Sequence, residues 1–150
     1  MKDLVDRYSG TVMLGKELAT FYREMPDFFV VDDGGEPLAC GALHIRSEGL
    51  GEIGTVAVRP EQHGRGIGSL LIRRLLEEAA AAGLRDVFVL TFETGFFARH
   101  GFRVLAEEPQ PVSVGCGRMG LLAVDDASLF LDLGQAKVNT LGNTRMMLTL

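Results

Sequence analysis

No run of about 20 consecutive apolar residues occurs in the 150-residue chain, so nothing in it reads as a membrane-spanning helix. The opening, Met1 to Gly10, carries charges throughout instead of the apolar centre of a secretory signal. Cations are in short supply: 15 Lys and Arg stand against 20 Asp and Glu, the net charge is −5, and no segment gathers basic residues into a stripe. A nucleic-acid surface needs such a stripe, so the balance points to small-molecule substrates and away from nucleic acid. The two cysteines, Cys40 and Cys116, lie far apart and outside any Cys-x-x-Cys unit, which argues against a disulfide framework or a zinc site. The three histidines show no metal-ligand spacing either. The expectation is a soluble chain in a reducing cytoplasm, without a metal and without a membrane partner. With no repeat, low-complexity tract or Pro/Ser-rich linker, residues 1–150 are expected to form one domain able to bury roughly 68–70% of its unfolded surface.

What is present is an alternation of helical and strand patterns. "MKDLVDRYSG" reads as a helix closed by Gly10, and "ELATFYREM" as a second that ends before Pro26. "DFFVVDD" and "PLACGALHIR" read as strands joined by the turn "DDGGEP", most simply an antiparallel hairpin. "GEIGTVAVRP" is apolar on both faces near its end, as a central strand is. Ser69 to Ala82 is the strongest helix, with Ile67, Leu71, Leu75 and Ala79 on one face, Arg73, Arg74, Glu77 and Glu78 on the other, and Gly83 as its cap. "RDVFVLTFE" then completes a right-handed βαβ unit with two parallel neighbours. A short helix, "GFFARHG", and strands "FRVLAEE" and "NTRMMLTL" follow, while Pro109 to Leu133, including the Gly-dense "SVGCGRMGLL", has no clear element. The fold class is α/β with a mixed sheet.

The loop inside the βαβ unit carries the chemistry. In "VRPEQHGRGIGSLL" glycine stands at Gly64, Gly66 and Gly68, directly before the helix. Glycine lets the backbone approach a ligand closely, and the first helical turn offers unpaired N–H groups at the positive end of the helix dipole. Phosphate is the natural ligand for such a loop. It is not a Walker loop, which requires Gly-Lys-Ser/Thr, nor a dinucleotide loop, which would need glycine or a substitute at Ser69.

"VRP", "HGRGIG" and "FFARHGF", in that order and at suitable spacing, resemble the GNAT superfamily of N-acetyltransferases. The resemblance implies a central mixed sheet with helices on both faces and acetyl-CoA as co-substrate. By the same resemblance, the strand usually first in that fold is expected to be missing ahead of Lys2. It further implies that the loop residues Gly64, Arg65, Gly66, Ile67, Gly68 and Ser69 cradle the coenzyme A pyrophosphate through their amides. His63 stands where the family has Gln or Arg, and it can still donate a hydrogen bond. The strand positions Val56, Ala57 and Val58 correspond to those whose backbone meets pantetheine and the acetyl oxygen, an oxyanion device centred on Val56. Glu93 and Phe97 border the same site. A narrower resemblance, carried by "FFVVDD", "LACGALHI", "LGEIGTVAVRP" and the ending "VNTLGNTRMML", is to the short amino-acid N-acetyltransferases that make N-acetylglutamate for arginine biosynthesis.

The acceptor's ammonium group must lose a proton, for which a carboxylate acting directly or through water is suited. Glu52 and Glu93 are the candidates, at opposite ends of the slot between two parallel strands, and the resemblance favours Glu52 as catalytic. A tyrosine acid common in the superfamily is replaced by Phe97, and a thiol of pKa about 8.5 leaves as thiolate with modest help. The acceptor's carboxylates call for cations. By resemblance these are Lys16 and Arg145, accompanied by Asn139 and Thr144, although Lys16 reads equally as a surface lysine. Gly54 stands where this group often has a larger, basic residue. His44 and His100 read as packed or solvated histidines. The leading expectation is acetylation of L-glutamate, the second acetylation of glutamine or another small amine, and the third a coenzyme A-binding sensor without turnover. An exposed sheet edge invites pairing with a second copy, a homodimer.

Overall fold

The computed structural model describes residues 2–6, 18–105 and 143–150. Helix α1 (Lys2–Asp6) and helix α2 (Leu18–Glu24) precede a 3-10 turn at Met25–Asp27, where Pro26 ends the α-helix. Strands β1 (Phe28–Asp33) and β2 (Glu36–Ser47) form the expected antiparallel hairpin around Gly34 and Gly35, and β3 (Leu50–Val58) pairs antiparallel with β2. Helix α3 (Ile67–Ala81), strand β4 (Asp86–Thr91), helix α4 (Thr94–Ala98), strand β5 (Arg103–Val104) and strand β6 (Thr144–Thr149) follow. The sheet order is β1-β2-β3-β4-β6-β5, with β3 and β4 the parallel pair and β4–β6 and β6–β5 antiparallel. The closure of the first helix at Gly10, Lys16, Cys116 and Asn139 lie outside the described residues.

The sheet is covered on both faces by helices whose apolar residues match it. On one face Leu71, Ile72, Leu75 and Ala79 of α3, all fully buried, pack on Leu43, Ile53, Val87, Val89 and Met146. Each large aliphatic side chain sealed there is stabilised by about 1.5–3 kcal/mol. Arg74 lies on the outer side of α3 and pairs with Glu77 and Glu78. The other face carries Leu4 and Val5 of α1 and Phe21 of α2 against Cys40 and Ala57. There, burial pushes the Cys40 thiol up to about 11, which leaves it unreactive.

Strand β5 is shorter than the stretch read as "FRVLAEE", with Leu105 already outside it, and helix α4 runs from Thr94 to Ala98 and not over "GFFARHG". Two further boundaries, at the glycine loop, also differ from the sequence expectation. Helix α3 starts at Ile67, not Ser69, because Gly66 takes the cap position in the left-handed conformation (φ 81, ψ 0) and the helix begins right after it. The strand read as running through Pro60 ends at Val58, because Pro60 opens a 3-10 turn, Pro60–Gln62. No helix among the described residues is long and apolar enough to cross a membrane.

Candidate active site

The glycines of the loop do two different things. Gly64 and Gly66 have φ of 76° and 81°, and a Cβ built on either meets nothing within 4 Å, so the backbone there is bare towards solvent. The first intrahelical bond of α3 runs from the Leu70 amide to the Gly66 carbonyl at 2.9 Å. Helix geometry therefore directs the amides of Ile67, Gly68 and Ser69 out of the helix end, at its positive pole. Gly68 serves packing instead: a Cβ there would sit 3.3 Å from Cζ of Phe96 and 3.4 Å from Cγ2 of Val58, so its absence lets α3 close onto α4 and β3. Arg65 turns aside, its amide directed to the Gln62 carbonyl at 3.4 Å and its guanidinium to Oε1 of Gln62 at 2.6 Å. The His63 ring donates from Nε2 to the Val58 carbonyl at 3.1 Å, tying the loop to the end of β3.

Beside this helix end the two parallel strands separate. They stay in register only at Leu50↔Asp86, Gly51↔Val87 and Glu52↔Phe88. Opposite β2, Cys40 faces Ala57 and Ala42 faces Gly54, so Thr55 and Val56 together stand across from Gly41 as a bulge. Thr55 adopts φ +55°, a costly conformation for a β-branched residue and one found where function demands it. A cleft of about 770 Å³ fills the gap, lined by Ile53 to Val56 and Val58 of β3, Val89 to Thr91 of β4, and Gln62, His63, Gly64, Gly66, Ile67, Gly68 and Ser69 of the loop and helix. Phe92, Glu93, Phe96, Phe97 and Arg99 close its other wall. Of the residues expected around the cofactor, Ala57 and Arg65 are not among the lining. Ala57 packs under α1 and α2 on the far sheet face.

Glu93 stands at the mouth, as the residue before α4, its amide bonded to Oγ1 of Thr91 at 2.9 Å. Phe97 is buried, edge-on to Phe96 and Phe102 at 5.1 and 5.4 Å between ring centres. His100 packs edge-on against Phe96 and shares a hydrogen bond between Nε2 and Oγ of Ser69 at 3.2 Å. Burial, with the charges of Arg99 and Arg73, holds His100 below the ordinary histidine value, so it is neutral at pH 7.

Glu52 lies at the other end, where the strands begin to part. Its carboxylate is held by Arg46, whose Nε donates to Oε2 at 2.7 Å. Across the hairpin from Glu52 is His44, buried at 7% exposure. Its Nδ1 is 2.7 Å from Oδ2 of Asp27 and its Nε2 is 3.8 Å from Oε2 of Glu24. Paired residues of neighbouring strands share a face and successive residues alternate. Glu52 therefore shares its face with Phe88 and Leu90, and Arg145, paired with Leu90, belongs to that face too. Thr144, paired with Thr91, lies on the opposite one. The site expectation for Lys16 and Asn139 falls outside the described residues.

Sequence reading missed the Asp27–His44 pair, and with it the carboxylates gathered around His44. The hairpin did hold a signal, since two strands joined at Glu48–Gly49 bring His44 opposite Glu52. Asp27 directly precedes β1, and the β1–β2 register that pairs Phe28 with Ala42 brings it beside His44. Phe96 and Arg99 were legible only as parts of the aromatic helix.

A family model described as acetyltransferase (GNAT) family matches residues 5–102. An amino-acid acetyltransferase of Mycobacterium tuberculosis is 44% identical over 153 residues, covering 100% of this chain and 87% of that protein. An uncharacterized N-acetyltransferase of Chlorobaculum tepidum is 33% identical over 116 residues, 75% of each chain. A solved Mycobacterium tuberculosis structure, in complex with CoA and a further ligand, NLQ, superposes with a TM-score of 0.78 at 43% identity, covering 99% of this chain and 91% of that one. The N-acetylglutamate synthase of Neisseria gonorrhoeae, complexed with coenzyme A and N-acetyl-glutamate, gives a TM-score of 0.75 at 20% identity over 99% of this chain and 31% of that one, a likeness of fold.

Proposed function

From the premise that this chain belongs to the acetyltransferase (GNAT) family, we propose that it transfers the acetyl group of acetyl-CoA to the α-amine of L-glutamate, serving arginine biosynthesis in the cytoplasm. The observation that carries the reading is the parting of β3 and β4 beyond Glu52 and Phe88, which opens a cleft leading to the bare helix end at Gly66. The cleft has the form a thioester on a long pantetheine arm requires. The diphosphate lies against the amides of Ile67, Gly68 and Ser69 with no lysine needed, and the arm runs between the strands. The open space at Gly64 and Gly66 suits that fit.

The acetyl carbonyl lies at the bulge, where backbone N–H near Val56 takes up the charge developing on its oxygen. Glu52 removes a proton from the acceptor's ammonium. The amine attacks the carbonyl carbon, the C–N bond forms, the nitrogen gives up its second proton as the C–S bond breaks, and coenzyme A leaves as thiolate beside Phe97. Arg145 lies on the acceptor's sheet face and meets a carboxylate.

A glutamate acceptor presents two carboxylates, and among the described strands Arg46, Arg103 and Arg145 are the cations on that face, with Arg46 committed to Glu52. Glutamine is the second reading, because its side-chain amide needs no cation. Thiol release from acetyl-CoA with a panel of amino acids tests both: glutamate alone supports the first reading, and glutamine alone supports the second. Release with neither would overturn the amino-acid assignment.

A further inference from the structure

We propose that His44 is a second proton acceptor for the transferred amine, standing with Glu52 on either side of a recess left open by Gly54. The proposal rests on the acetyl-transfer reading above and concerns the same site. A Cβ built on Gly54 would lie 3.8 Å from Nε2 of His44 and 3.9 Å from Oε1 of Glu52, so the missing side chain leaves a space bordered by two proton acceptors. Gly54 itself lines the cleft between the strands, whose lining does not include His44 or Glu52, so the recess adjoins the cleft through Gly54.

The tautomer of His44 follows from its partner. Oδ2 of Asp27 is 2.7 Å from Nδ1, and an ionised carboxylate can only accept, so Nδ1 carries the hydrogen and Nε2 of the neutral ring keeps its lone pair. Nε2 is the ring nitrogen nearer the recess, 3.8 Å from a Cβ built on Gly54. Asp27 is the positioning residue: it fixes the ring and balances the imidazolium once Nε2 has taken a proton. The charged groups around the ring are Glu24 on α2, with Oε2 3.8 Å from Nε2, Asp27 on the 3-10 turn, and Glu52 on β3 with its partner Arg46 on β2.

Two acceptors match the stoichiometry. An ammonium has two protons to lose on becoming an amide: one frees the lone pair for attack, and the other leaves nitrogen as the tetrahedral intermediate collapses. Glu52 takes one and His44 the other, both pass to water, and one is returned to the departing thiolate. The sum is ammonium plus thioester giving amide, thiol and one proton.

The test compares wild type with His44→Gln, His44→Ala and Gly54→Ala, using thiol release with glutamate and glutamine and calorimetry of coenzyme A binding. His44→Gln should lower kcat by roughly 10²–10⁴-fold while coenzyme A affinity stays within twofold of wild type. Its kcat/KM profile should change shape on the acid side, because one of the two proton acceptors is gone. His44→Ala should regain turnover in proportion to added imidazole, which a residue holding the fold alone would not show. In Gly54→Ala the added methyl makes ordinary contacts, so the variant should fold and bind coenzyme A but raise the KM for the acceptor. Near-normal kcat in His44→Gln, or no imidazole rescue of a folded His44→Ala, would overturn the His44 role while leaving acetyl transfer standing. Absence of turnover in wild type with every amino acid would overturn the acceptor reading, and the His44 role with it.

Discussion

Glu52 and Phe88 are the last residues at which β3 and β4 remain in parallel register, and every residue that these strands contribute to the cleft lies beyond that pair. Glu52 thus stands at the apex of the opening, on the sheet face of α1 and α2 and not on that of α3. From this position, Glu52→Gln should lower kcat by roughly 10²–10⁴-fold if it takes the acceptor's proton, with the KM for acetyl-CoA little changed. Rates across pH 6–9 equal to wild type would reassign the proton to His44 alone or to water.

Gly66 and Gly68 should fail differently when substituted. Gly66→Ala places a side chain in open space but at φ 81°, so it should cost roughly 1–2 kcal/mol in stability and weaken coenzyme A through the altered cap. Gly68→Val would drive its side chain into Phe96 and Val58 and push α3 off the cleft wall. It should abolish coenzyme A binding with the circular dichroism of a folded protein. Equal affinities for Gly68→Val and wild type in calorimetry would refute this account of the helix end.

Arg145→Ala should raise the KM for a glutamate acceptor by roughly 10–100-fold, the worth of one charge-assisted hydrogen bond of about 1.5–3 kcal/mol. The KM for acetyl-CoA should hold. If Arg145 meets the side-chain carboxylate, the preference for glutamate over glutamine should narrow; if it meets the α-carboxylate, both should weaken together. Steady-state kinetics with both amino acids decides between them, and small equal effects on all substrates would make Arg145 a structural residue.

Asp86 provides a pH test of stability away from the chemistry. Burial would raise its pKa, but hydrogen bonds from Arg85 (2.6 Å) and Thr149 (2.7 Å), together with the Arg85 charge, outweigh that and hold it below the ordinary aspartate value. A depressed carboxylate contributes its stability in full above the unfolded-state pKa, about 3.9, and loses it as pH falls through the lower folded-state value. Asp86→Asn should therefore cost roughly 1.5–3 kcal/mol at pH 7, and denaturant melts should show the gap to wild type closing in the acid range. A gap that persists unchanged down to pH 2 would mean that the loss comes from packing and not from the ionised pair.

What the sequence by itself determined is the part of this molecule written in short-range pattern. The stripe of Leu71, Leu75 and Ala79 specifies α3, the glycines of "HGRGIG" specify a bare helix end, and the continuous apolar runs on either side specify two buried strands in a βαβ unit. Each rests on residues within a few positions of one another, where side-chain period and backbone freedom are set locally. Tertiary structure decided the rest: that β3 and β4 part after Glu52 and Phe88, that Thr55 and Val56 bulge opposite Gly41, that Gly68 makes room for Phe96, and that Asp27 reaches His44. All of these are contacts between residues distant in the chain. Their register is set by which apolar faces pack together across the whole sheet, and a shift of one residue would reverse every side chain without changing the local pattern.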